Sequence, residues 1–224
     1  MKKEDLNKLV EDRGQRYSKI LGVDVSGGKD EEVFKWFLAS ILFGAPITES
    51  SVIKTYKSFQ RRGVLTPQKI LKTGWDGLVK ILDEGSYTRY DFKTADKLLL
   101  VMQNLTERYG GSLSAVHSQA SDKRDLENRL KGLGKGIGDV TVSIFLRELR
   151  GVWEKADPNP TALVILAAEK LGLVKEQATP EETLKQLKAF WKRNAVAGTS
   201  FVDFETALFR VGKDLRRKAS GKGD

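Results

Sequence analysis

The chain has 224 residues, 40% hydrophobic and 31% charged, and its 39 Lys and Arg against 30 Asp and Glu give a formal net charge of +9. With no cysteine and one histidine, His117, the composition excludes disulfides, a thiol nucleophile and a cysteine-ligated iron–sulfur cluster, and it argues against a histidine-rich metal site or a Ser-His-Asp triad, so no cofactor or metal is expected. The length suits one sizeable core or two small lobes, and the basic excess favours a polyanionic partner.

The N-terminus, Met1-Lys2-Lys3-Glu4-Asp5, lacks the apolar core of a signal peptide. Leu6, Leu9, Val10, Tyr17, Ile20 and Leu21 recur at mostly helical spacing, which predicts a first helix over 4–21. After a break at 22–28, the stretch 30–43 is apolar on more than one side (Val33, Phe34, Trp36, Phe37, Leu38, Ile41, Leu42), as a central helix would be. Thr48-Glu49 opens the next helix, which Arg61-Arg62-Gly63 closes. Thr66-Pro67 starts a short helix over 68–72, and Trp75-Asp76 starts another that ends at Gly85. A long helix follows through Leu98, Leu99, Val101, Met102, Leu105 and Tyr109, then short ones near 112–118 and 123–131. Beyond 150, helices are expected over 161–170, after Thr179-Pro180-Glu181-Glu182 with its capping-box glutamate, and over 201–218. No stretch shows period-two alternation, so the fold class is all-α. No apolar run approaches the roughly twenty residues of a membrane span, and a cytoplasmic chain, nucleoid-associated in a prokaryote, is expected.

Between the helices near 123–131 and 142–149 lies Leu130-Lys131-Gly132-Leu133-Gly134-Lys135-Gly136-Ile137-Gly138-Asp139-Val140-Thr141. Glycines at every second position do not belong inside a helix. They make a tight turn that exposes N–H groups, which with the N-terminus of the following helix form a site for an anionic oxygen. Lys131 and Lys135 add positive charge beside it.

The pattern Gly136-Ile137-Gly138 followed by Thr141 and, further on, Leu146-Arg147 resembles the helix-hairpin-helix of the DNA glycosylase superfamily that includes endonuclease III and the alkyladenine glycosylases. The turn at 85–90 and the Lys93-Thr94-Ala95 start of the long helix are similar to that superfamily too, so the likeness spans about 30–173. The resemblance implies two helical lobes with a base-binding cleft between them. One would be a bundle over 29–150 and the other would join 1–28 to 151–219, with 220–224 a disordered tail. It implies a monomeric DNA-repair enzyme acting on lesion-bearing double-stranded DNA. Lys131, Gly134, Lys135, Gly136, Gly138 and Thr141 would hold the DNA backbone, and Trp36, Phe43, Tyr87, Tyr90 and Trp153 would surround the flipped base.

Three departures shape the expected chemistry. Bifunctional members carry a Schiff-base lysine just before the threonine, where this chain has Val140, so a monofunctional N-glycosylase is expected. Ala45 stands where endonuclease III-like enzymes have a gap-filling glutamine, so pyrimidine specificity does not carry over. The family's essential aspartate falls on Asp157 if Pro158-Asn159-Pro160 holds a short insertion; without it Thr161 takes the place, and only Asp157 has the carboxylate. Read without the family, Asp157 is a helix cap or an Asp-Pro turn. The alternatives are a glycosylase with lyase activity through a displaced Lys135 or Lys155, and a non-catalytic DNA-binding protein.

Overall fold

The structure, a computed structural model, describes residues 1–221. Among them every regular element is a helix, and they fall into two compact units, 21–157 and 1–20 with 158–221. The sequence expectation set these boundaries at 28/29 and 150/151. Residues 21–28 group with the contiguous unit because the Asp24 N–H bonds the Glu32 carboxylate at 3.0 Å and Gly28 packs on Val152. Residues 151–157 join it through the Trp153 ring, stacked on His117 with centroids 4.6 Å apart.

The contiguous unit holds α3 (Asp30–Phe43), α4 (Glu49–Arg61), α5 (Pro67–Glu84), α6 (Asp91–Tyr109), α7 (Leu113–Gln119), α8 (Lys123–Lys131) and α9 (Asp139–Glu148). As its composition predicts, α3 is central, with Val33, Phe34 and the run Trp36–Leu42 buried. Its Phe37 ring meets Phe145 of α9 edge-on, with centroids 5.0 Å apart. The range α5 holds the two helices expected over 68–82, separated where Gly74 leaves helical geometry (φ 68°, ψ 176°), a conformation that a side chain would strain.

The second unit holds α1 (Lys3–Arg13), α2 (Tyr17–Ile20), α10 (Ala162–Lys170), α11 (Pro180–Asn194) and α12 (Phe201–Ala219). The single helix expected over 4–21 is two: α1 ends at its C-cap Gly14, and in the link that follows Arg210 of α12 donates to the carbonyls of Arg13 and Gln15. The core joins Leu6 and Val10 to Val164, Ala167, Leu187, Trp191, Phe204 and Leu208. Helix α12 lies close on α10 at Gly212, where a Cβ would fall 2.1 Å from the Leu163 carbonyl oxygen. Of the expected tail, Ser220 instead closes α12 through its N–H to Arg216, and 222–224 lie outside the described residues. Among the described residues no helix is long and apolar enough to cross a membrane.

Candidate nucleic-acid interface at the hairpin

Helix α8 ends in tight turns, Gly132 N–H to Asn128 O and Leu133 N–H to Leu130 O, and the Ile137 N–H to Gly134 O bond closes the hairpin. Leu133 and Ile137 are buried and pin the turn inward. From behind, α6 takes up hairpin carbonyls: Asn104 Nδ2 donates to Leu133 O and Arg108 Nη1 to Gly132 O, both at 2.8 Å. Among the described residues the N–H groups of Lys135, Gly136 and Gly138 donate to nothing. Gly138 is the N-cap of α9 and has no side chain for that helix's first-turn N–H groups. Among the described residues seven other helices are closed at this position by a Ser, Thr or Asp side chain. The result is a cluster of unused donors at the positive end of a helix, the arrangement that holds an anionic oxygen.

The three hairpin glycines are there for different reasons. A Cβ on Gly134 would lie 2.8 Å from Val101 Cγ2, so α6 requires a glycine. Gly136 has φ 93°, and its Cβ would lie 2.7 Å from Lys97 Cε. At Gly138 a Cβ would meet nothing within 4 Å and the backbone is extended, so the fold itself accepts a side chain there.

Of the other residues expected here, Lys135 is exposed beside the turn. Lys131 is engaged within the chain: its Nζ lies 2.7 Å from Asp139 Oδ1, and that carboxylate is 90% exposed in the first turn of α9. Thr141 does not face outward. It is 3% exposed, with Oγ1 against Gly44 at the end of α3, because its place on α9 turns it into the bundle. Val140, at the family's lysine position, is 59% exposed.

Asp157 lies in the non-helical segment after α9. Its carboxylate pairs with Arg150, a side chain 6% exposed against 36% for the aspartate, and Lys123 Nζ donates to the Asp157 carbonyl at 3.4 Å. Thr161 accepts the Val164 N–H as the N-cap of α10, so the helix-cap role belongs to Thr161 and not to Asp157.

The five aromatic candidates do not form one group. Trp36 and Tyr87 are core residues: Trp36 Nε1 donates to Phe145 O at 3.0 Å, and the Tyr87 hydroxyl donates to Leu42 O at 2.7 Å, with burial pushing that phenol far above its usual range. Trp153 is buried between His117 and Phe145. Helical spacing marks an aromatic as inward and cannot distinguish a pocket wall from a core. Phe43 and Tyr90 are half-buried. The aromatics that do reach the surface are Trp75 and Phe92, with ring centroids 5.1 Å apart. His117, the single histidine, is half-buried. Burial, then Lys155, lowers its pKa, and Lys155 Nζ bonds the His117 carbonyl at 3.1 Å. Among the described residues no group of three or more His, Asp or Glu side chains is placed to hold a metal ion.

Helix α8, the glycine hairpin and the uncapped α9 form a helix-hairpin-helix arrangement within an all-helical bundle. Among solved structures the chain is similar to the H. pylori 3-methyladenine DNA glycosylase MagIII bound to 1,N6-ethenoadenine, with a TM-score of 0.54 and 14% identity over 96% of this chain and 98% of that one. The chain therefore shares the all-helical fold of that protein over nearly its whole length. No family model matches the chain, and no curated protein matches it.

Proposed function

We propose that the protein is a DNA-repair N-glycosylase, monomeric and cytoplasmic, that grips duplex DNA through the α8–α9 hairpin and hydrolyses the N-glycosidic bond of a flipped, damaged base. The observation that carries this is the uncapped start of α9 with its unused hairpin N–H groups, in a chain with the glycosylase fold over nearly its whole length. One backbone phosphate on those donors would satisfy them and interact favourably with the helix end. Since the structural neighbour is a 3-methyladenine glycosylase, alkylated purines are the first substrates to try.

As the bond to the leaving base breaks, positive charge develops on the sugar. A fixed carboxylate beside C1′ stabilises that charge and orients the attacking water. Asp157 is the proposed group, held in direction by Arg150. Val140 offers no amine, and Lys155 is engaged with His117, so the expected product is an intact abasic strand. Single-turnover assays on duplexes carrying alkylated purines, oxidised bases or uracil test the reading. Excision should appear on at least one duplex, Asp157→Asn should slow it roughly a hundredfold or more with binding retained, and Thr161→Ala should keep most of the rate. Borohydride should trap no covalent complex.

The Arg150 partner also favours a second reading, in which Asp157 only ties down its loop and the hairpin serves a non-catalytic DNA-binding protein. Binding without excision on every duplex, together with a lowered melting temperature for Asp157→Asn, would select it.

A further inference from the structure

Lys97 projects from α6 onto the hairpin. A Cβ built on Gly136 would lie 2.7 Å from its Cε, 3.4 Å from its Nζ and 3.6 Å from its Cδ, so the whole end of the side chain lies across that glycine. The Gly136 N–H is one of the unused donors. Among the described residues the Lys97 ammonium has neither a hydrogen-bond acceptor nor an ion-pair partner. Its neighbour Asp96 is turned away, accepting Trp75 Nε1 at 2.9 Å. Asp139, the carboxylate of the hairpin, is held by Lys131.

A half-buried ammonium with no acceptor is unfavourable, because it has lost water without gaining a partner. Burial accordingly lowers the Lys97 pKa, with no opposing contribution from a carboxylate. The surroundings that deny it a partner within the chain also place it beside donors directed at an anion. A phosphate oxygen would relieve both conditions, pairing with the ammonium at the point where the backbone donates.

We propose that Lys97 is part of the phosphate site, its ammonium and the hairpin N–H groups holding one phosphodiester of the DNA backbone. This rests on the hairpin binding duplex DNA. It adds a contact from a helix outside the hairpin, and it gives a side chain at Gly136, already strained there by φ 93°, a second cost, because a Cβ would push the lysine end away from the donors.

The test is duplex binding by the full chain across a salt series. Lys97→Met keeps the aliphatic stem over Gly136 and removes only the charge. It should weaken binding roughly tenfold at low salt and lower the log–log salt slope by about one, while Lys97→Arg restores the slope. The melting temperature of Lys97→Met should hold or rise, since a partly desolvated charge is gone. As a second measurement, duplex DNA should protect the wild-type Lys97 amine from reductive methylation, a readout that stands even if the variant does not fold. If Lys97→Met keeps its slope and affinity while Gly138→Ser loses affinity, Lys97 is not a phosphate ligand, though the hairpin still is. Equal methylation with and without DNA overturns the proposal in the same way. A wild-type chain that binds no duplex overturns both this assignment and the DNA-binding reading beneath it.

Discussion

Helices α9 and α12 begin with the same chemical problem, a first turn of N–H groups with no carbonyl behind them, and they solve it in opposite ways. At α12 the Ser200 side chain accepts from the helix, Asp203 accepts the Ser200 N–H in return at 2.8 Å, and Arg16, in the link between α1 and α2, clamps both, with Nε 2.9 Å from the Asp203 carboxylate. At α9 the N-cap is Gly138, no side chain closes the turn, and the hairpin ahead of it leaves further N–H groups unused. The closed start ties the link between α1 and α2 to the C-terminal helix and stabilises the fold. An open start forgoes that stabilisation and leaves its donors available to the phosphate proposed above. The same few atoms are thus satisfied within the chain in one unit and left unused in the other.

Breaking the closed start should have the largest effect. Asp203→Ala removes half of the capping box and leaves Arg16 without its carboxylate, so unfolding measurements should show a loss of about 3 kcal/mol with an unchanged salt slope of DNA binding. Burial by itself would raise the Asp203 pKa, but the bonds from Arg16 and Ser200 hold it below the usual carboxylate range. Because the folded-state value is depressed, this contribution is fully present above the unfolded value of about 4 and is lost as pH falls through the folded one. The melting-temperature gap between Asp203→Ala and wild type should therefore narrow in acid.

Gly138→Ser converts the open start into a closed one. The backbone at Gly138 is already extended and a Cβ meets nothing, so a serine can cap α9 as Ser200 caps α12. Stability should hold or rise by a few tenths of a kcal/mol, while duplex affinity falls roughly tenfold because the new hydroxyl takes the donors a phosphate would use. Unchanged affinity with normal folding would show that the hairpin is only a turn. Ser200→Ala, a milder break of the closed start, should cost about 1 kcal/mol and leave DNA binding alone. The smallest change is expected from Asp139→Asn. It removes an exposed negative charge from the α9 start and releases Lys131, so duplex affinity should rise roughly threefold at low salt and the gain should fade as salt increases.

Much of this contrast is legible in the sequence. Thr179-Pro180-Glu181-Glu182 gives a full capping box, and alternating glycines mark a turn that no helix could contain. The apolar content of 30–43 marks the central helix. The base-pocket candidates are the poorest match, since burial on a helix face reads the same whether it faces a core, as at Trp36 and Tyr87, or a ligand. Lys97 carries no signal in the sequence either, being one lysine on a long amphipathic helix, and only its position across Gly136 sets it apart.

Local chemistry is what the amino-acid order alone determines here: where helices start and stop, which faces are apolar, and that the stretch 132–138 must turn with its N–H groups exposed. These depend on bonds and periodicities spanning a few residues, and neighbours along the chain decide them. Which charges are already paired was settled only in the tertiary structure. Lys131 looks as available as Lys135 and is held by Asp139, Asp157 is tied to Arg150, and Arg16 reaches across nearly the whole chain to Asp203. Whether a charge is offered to a ligand or used inside depends on which groups the packing brings within a few ångströms, and separation along the chain does not encode that distance.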